Sequence, residues 1–161
     1  MSLPLSSLRN PAILLSTWFG AGLLPKAPGT WGSLAALPFA WIIVSLGGSS
    51  ALAVACLVVY GVGVWAADKT IKVTGIKDPG LVVIDEVVGQ WIVLIFTPLN
   101  PLLYLVGFGL FRLFDILKPW PVSWADQKVE GGTGVMLDDV LAGLYGLALI
   151  QLLQLILAGQ L

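Results

Sequence analysis

The chain has 161 residues, of which 58% are hydrophobic and 11% charged, with eight Lys/Arg against nine Asp/Glu for a net charge of -1. Soluble domains carry about 25% charged residues, so this composition excludes an ordinary water-facing surface. The placement of charge is more informative than its sum in such a chain.

Three runs carry no charge: from Lys26 to Asp68, from Glu86 to Arg112, and from Asp139 to the end. Each reaches the roughly 20 residues that a helix needs to cross ~30 Å of hydrocarbon. The expected class is therefore all-α, a polytopic membrane helical bundle in a single domain spanning residues 1–161.

In chain order, residues 11–24 form an apolar segment between two prolines, too short to span at about 1.5 Å per residue. It reads as an interfacial or re-entrant helix and not as a signal peptide, having no clear small-residue cleavage site. The Pro/Gly loop 25–33 interrupts it, with Ser33 as a plausible N-cap for the next helix. Apolar helices are then expected over 34–46 and 51–67, joined by the turn chemistry of Gly47-Gly48-Ser49-Ser50. The polar stretch 68–86 follows. A third apolar helix, 86–96, ends at Thr97-Pro98-Leu99-Asn100-Pro101, and a fourth covers 102–113. The second polar stretch, 112–139, contains Gly131-Gly132-Thr133-Gly134, read either as a hinge or as a close backbone approach. Val140–Leu157 makes the fifth and longest apolar helix. There is no internal repeat.

The turns at 47–50 and 97–101 are uncharged, and every charged residue falls in 9–26, 68–86 or 112–139. If both apolar windows are hairpins, these three segments share one face of the bilayer. Lys/Arg favour the cytoplasmic side, so that face is expected to be cytoplasmic. The rival topology makes 87–111 one kinked span and separates the segments. Two prolines within five residues favour the hairpin.

The chemistry is bounded by what is missing. Without histidine, imidazole acid–base and nucleophilic mechanisms are excluded. Cys56 lies in an apolar run with no basic neighbour to make it a thiolate, and no GxxxxGK[ST] loop is present. Carboxylates, lysines, hydroxyls and glycine loops remain, an inventory that suits a magnesium site acting on phosphate. Asp85-Glu86 and Asp138-Asp139 are two acidic pairs at expected helix starts. Such acids also simply complement a helix macrodipole, but two pairs among nine acids suggest more. Arg112, Asp115 and Lys118 share a helical face, as an ion-pair ladder or as a third metal carboxylate with a neighbouring phosphate-binding cation. Asp68 is expected to pair with Lys72. Lys26 and the Gly29-Thr30 and Gly32-Ser33 steps, leading into a helix, are compatible with a phosphate loop or with a snorkelling lysine.

Four segments together resemble the phosphatidylglycerophosphatase A family: Gly22–Leu34 (GLLPKAPGTWGSL), Lys77–Trp91 (KDPGLVVIDEVVGQW), Phe111–Pro121 (FRLFDILKPWP) and Gly131–Gly143 (GGTGVMLDDVLAG). The likeness runs in order from about residue 10 to 146. It implies a Mg²⁺-dependent lipid phosphatase in the bacterial inner membrane, acting on phosphatidylglycerophosphate from the cytoplasmic side. It also implies an all-helical fold. By matching motifs, Asp85, Glu86, Asp115 and Asp139 become the catalytic carboxylates, and the same four with Asp138 the Mg²⁺ ligands. Lys26, Thr30 and Lys118 become the phosphate contacts. The expected partners are the phospholipid substrate and membrane lipids, not nucleic acid. A small cation transporter or channel subunit is the alternative, since intramembrane acids mark ion paths, but these acids lie at helix ends.

Overall fold

The computed structural model describes residues 5–159, with side chains from Ser7 onward. The described residues are helical or irregular, with no strand. The helices are α1 (Pro11–Ser16), α2 (Pro28–Thr74), α3 (Ile84–Leu94), α4 (Pro101–Leu117), α5 (Val122–Lys128) and α6 (Gly131–Ala158).

α2 is not straight. Gly48 adopts φ 69°, ψ -170°, outside the helical region, and the chain doubles back there. On a straight helix Gly32 and Gly63 would lie roughly 46 Å apart. Instead a Cβ at Gly32 would meet Val83, and one at Gly63 would meet Met136 and the adjacent Ile84. The two limbs, 28–47 and 49–74, are therefore antiparallel neighbours, and only a glycine accepts that backbone angle without strain. The return limb runs a turn or more past its expected end and stops at Gly75, a left-handed cap whose N–H donates to Ile71 O.

α3 and α4 form a second hairpin, closed by Thr97–Asn100. Asn100 caps α4, its side-chain oxygen accepting from Leu102 and Leu103 N–H at 2.9 and 3.2 Å. Arg112 lies 3.9 Å from Glu86, whereas one continuous helix would hold them roughly 39 Å apart. The kinked-span topology is thereby excluded.

Among the described residues, two helices are long and apolar enough to cross a membrane, α2 and α6. α3, with 11 residues, extends only about 16 Å and is too short. Many large apolar side chains of the long helices face outward: Leu46 is 84% exposed, Leu57 75% and Leu155 71%. An outward apolar surface of this extent suits lipid and not water.

Inside, Trp91 of α3 is the largest fully buried side chain. Its indole N–H donates to Ala36 O of α2 at 2.9 Å, and Trp18 packs edge-on against it at 5.6 Å. The short N-terminal helix α1 is held by Ser16, whose hydroxyl lies 2.8 Å from that of Thr70 and whose carbonyl accepts from Val83 N–H.

α6 starts nine residues earlier than the apolar pattern suggests. The Gly131–Gly134 run is its first turn. A Cβ on Gly132 would stand 2.2 Å from Val64 O, so the glycine serves close helix packing. Asp68 accepts from Gly132 N–H at 2.6 Å and caps α6, in place of the expected pairing with Lys72. α5, between the two polar ends, was not expected.

The Gly48 reversal thus lies at the end of the bundle opposite the polar segments, and the turn after α3 stops short of it, beside Leu37 and Trp41. With Cys56 replaced by Ala and the protein in sealed vesicles, Ser50→Cys should label with an impermeant maleimide from one side, and Lys128→Cys only from the other. Labelling of both from one side would refute this arrangement.

Candidate active site

At the polar end, a cavity of about 310 Å³ is enclosed by the start of α2, the 77–82 loop, the first turn of α3, the last turns of α4, α5, and the first turns of α6. Its walls contain Asp78, Asp85, Glu86, Asp115, Asp126, Asp138 and Asp139 against Lys77, Arg112 and Lys118. Seven of the nine acids of the chain face one space, with a formal excess of four negative charges.

The geometry follows from one close helix crossing. A Cβ on Gly89 would stand 2.7 Å from Asp139 O, and one on Gly143 would stand 2.6 Å from Gly89 O. Asp85 lies one turn before Gly89 and Asp139 one turn before Gly143, on the same faces as the glycines. The crossing therefore brings the two acids together. Asp85, Glu86 and Asp139 each place a carboxylate oxygen within 4.8 Å of the other two. Asp138 and Asp139 lie two turns inside α6, not at its start, so they do not serve to complement the macrodipole.

The remaining charged residues divide into two groups. Arg112 Nη1 lies 2.7 Å from Asp115 Oδ2 and 3.9 Å from Glu86 Oε1. Lys118 ends α4 with φ 44°, which carries its ammonium away from Asp115. It donates to Asp126 Oδ1 at 2.5 Å and to Asp138 Oδ2 at 2.7 Å. Burial works against the Lys118 charge, but the hydrogen bonds to these two acids outweigh it and raise its pKa above the ordinary value.

Of the residues expected from sequence, Asp85, Glu86, Asp115, Asp138, Asp139 and Lys118 line the cavity. Lys26 and Thr30 do not. Between them Ala27, Pro28 and Gly29 form the wall, because Lys26 and Ala27 are both left-handed (φ 61° and 49°) and the turn leaves Lys26 exposed. A Cβ on Gly29 would sit 2.1 Å from Glu86 Oε1, so the glycine lets the start of α2 come up against that carboxylate. Sequence reasoning did not single out Asp126, Asp78 or Lys77. It noted Arg112 only as a rung of a ladder.

The acids suit a hard divalent cation. Asp85 Oδ1, Glu86 Oε2 and Asp139 Oδ2 are buried without a hydrogen-bond partner. Leaving a buried carboxylate uncompensated costs on the order of several kcal/mol, and an all-oxygen donor set is what Mg²⁺ or Ca²⁺ takes. Burial, reinforced by the neighbouring Glu86, pushes the Asp85 carboxyl well above its ordinary range. Burial likewise raises Glu86. A cation at this point would supply the missing compensation and restore the ionised forms.

The family model for Phosphatidylglycerophosphatase A matches residues 14–154, most of the chain. The chain belongs to the phosphatidylglycerophosphatase A family. A relative named phosphatidylglycerophosphatase A from Escherichia coli (strain K12) is 39% identical over 144 residues, covering 89% of this chain and 83% of its own. One of the same name from Haemophilus influenzae is 43% identical over 149 residues, covering 92% and 91%. A protein of Bacteroides thetaiotaomicron, provisionally named phosphatidylinositol-3-phosphatase, is 43% identical over 151 residues, covering 86% of this chain and 90% of its own. No solved structure matches the chain. The matched span takes in every helix that contributes to the cavity.

If the three-acid cluster holds a cation, a divalent ion at about 100 times its Kd should stabilise the folded protein by about 2.7 kcal/mol. In Asp139→Asn the metal-free protein should melt higher than the unsubstituted one, because a repulsive charge is removed, while the cation-dependent shift should vanish. Thermal unfolding in detergent with and without Mg²⁺ measures both. An undiminished shift in Asp139→Asn would exclude this residue as a ligand.

Proposed function

We propose that the protein is an integral membrane lipid phosphatase that hydrolyses the terminal phosphomonoester of phosphatidylglycerophosphate, with Mg²⁺ as cofactor, at a site facing the cytoplasm across the bacterial inner membrane. The observation that carries this reading is the cluster of buried, unpartnered carboxylates in a family member whose named relatives are lipid phosphatases. The cytoplasmic orientation rests on the positive-inside rule applied to a chain whose basic residues all lie at one end.

Asp85, Glu86 and Asp139 would hold the ion, with Asp115 and Asp138 close enough to complete its surroundings. Bound there, Mg²⁺ supplies charge neutralisation on the phosphoryl oxygens and polarises the phosphorus centre. The chain's own residues do the rest. The polar end of the bundle sits where a phospholipid headgroup would lie, so the acyl chains stay along the apolar helices while the phosphate enters the cavity. Basic side chains lining the cavity and the start of α2 between Lys26 and Thr30 face the remaining oxygens. A cavity carboxylate accepts a hydrogen bond from water and takes its proton as the oxygen attacks phosphorus in line. The phosphorus–oxygen bond to the glycerol breaks, and the alcohol oxygen leaves with the proton that the carboxylate took from water. The products are phosphatidylglycerol and inorganic phosphate.

This assignment predicts that Asp85→Asn and Asp139→Asn each lower kcat for phosphate release from phosphatidylglycerophosphate in mixed micelles by about 100-fold or more, with the folded helical content retained. Phosphatidylinositol 3-phosphate in the same assay should give a lower kcat/KM. Near-normal turnover in both variants would remove these acids from the mechanism, and a preference for the inositol lipid would replace the headgroup assignment.

A further inference from the structure

A substrate dianion has to enter a cavity with an excess of negative charge, and three cationic side chains line it: Lys77, Arg112 and Lys118. Lys77 stands at the rim, with 62% of its side chain exposed, and its nearest acid is Glu130 at 3.8 Å. Such a pair is screened and weak. Lys118 is committed to Asp126 and Asp138 at 2.5 and 2.7 Å, so two of its three N–H groups and all of its charge are spoken for. It ties α4 to α5 and α6.

Arg112 differs from both. Its side chain is only 17% exposed and stands beside the three-acid cluster, touching Asp115 and Glu86 through one nitrogen, Nη1. The guanidinium has five N–H donors in a planar fork, and its Nε is buried with no acceptor among the described residues. A buried donor left without an acceptor costs about 1–3 kcal/mol, which is tolerated where a ligand supplies the acceptor. Gly29 faces it: a Cβ there would stand 2.1 Å from Glu86 Oε1 and 3.0 Å from Arg112 Nη1, so the missing side chain lets both groups come up to the start of α2.

We infer that Arg112 is the residue that binds the transferred phosphate, reaching its oxygens from beside the three-acid cluster, while Lys118 holds the helices together. The planar fork suits two phosphate oxygens at once, which an ammonium cannot match. This inference rests on the phosphatase reading above but concerns a different step, recognition of the phosphoryl group.

The test uses the full-length protein in detergent with Mg²⁺ present and inorganic phosphate as the probe. Binding is followed by tryptophan fluorescence or thermal shift, and Mn²⁺ affinity is measured separately. Arg112→Lys should raise the Kd for inorganic phosphate at least about tenfold and raise KM for phosphatidylglycerophosphate, with Mn²⁺ affinity within about twofold of the unsubstituted protein. Arg112→Gln, which removes the charge and the fork but keeps a polar side chain, should weaken phosphate binding at least as much, and it decides the matter if Arg112→Lys does not fold. Unchanged phosphate affinity in the folded variants would overturn the inference. So would a parallel loss of Mn²⁺ affinity in Arg112→Lys, which would make Arg112 a support for the acids alone. If phosphate binding depends on Arg112 but no lipid phosphate is released, the substrate reading fails and the role of Arg112 stands.

Discussion

The close approach of α3 to α6 is the constraint on which the rest depends. Two helices that run parallel from the polar end meet at Gly89 and Gly143, where a methyl group on either would overlap the other's backbone. Without a hydrophobic driving force in lipid, helices associate through such small-residue contacts. One turn further on, Gly146 lets Val93 in, so the interface continues toward the hairpin tip. One turn back, the same geometry forces Asp85 and Glu86 against Asp139. The acids are held together by packing elsewhere, centred on Trp91, and not by any attraction of their own.

That arrangement stores repulsion, and the surrounding polar end manages it in two ways. Lys118, turned by a left-handed cap, neutralises Asp138 and Asp126 and closes α5 onto the bundle. Arg112 balances Asp115 and Glu86 in part. The innermost oxygens of Asp85, Glu86 and Asp139 are left without partners. Stability given up at a functional site in this way is a common trade, and here the deficit is of the sign and ligand type that a hard cation fills.

Much of this was legible in the sequence, for identifiable reasons. Gly47-Gly48 and Pro98–Pro101 mark reversals because proline and glycine act on the backbone directly, with no need of tertiary context. The carboxylates stood out because they are few in an apolar chain. Other features were hidden. The run 131–134 looks like a loop, yet it opens α6: Gly132 admits Val64 and Asp68, Gly134 admits Val129, and only Gly131, at φ 72°, takes a left-handed turn. Lys118 falls on the helical face of Asp115 by spacing alone, but the chain leaves the helix at that residue and the ammonium reaches α5 and α6. Lys26 and Thr30 flank a turn whose two left-handed residues expose the backbone of Ala27–Gly29 to the cavity, a reversal that spacing does not encode.

The most direct test of the account is whether the glycine crossing, one turn away from the carboxylates and with no ligand atom of its own, controls cation binding. Mn²⁺ can stand in for Mg²⁺ and be counted by electron paramagnetic resonance on the purified, detergent-solubilised protein. Gly143→Val adds bulk where a Cβ would already lie 2.6 Å from Gly89 O, and should spread α3 from α6. The account predicts that Mn²⁺ affinity falls at least about tenfold while the far-ultraviolet helical signal is retained. A folded Gly143→Val protein that binds Mn²⁺ as tightly as the unsubstituted one would contradict it.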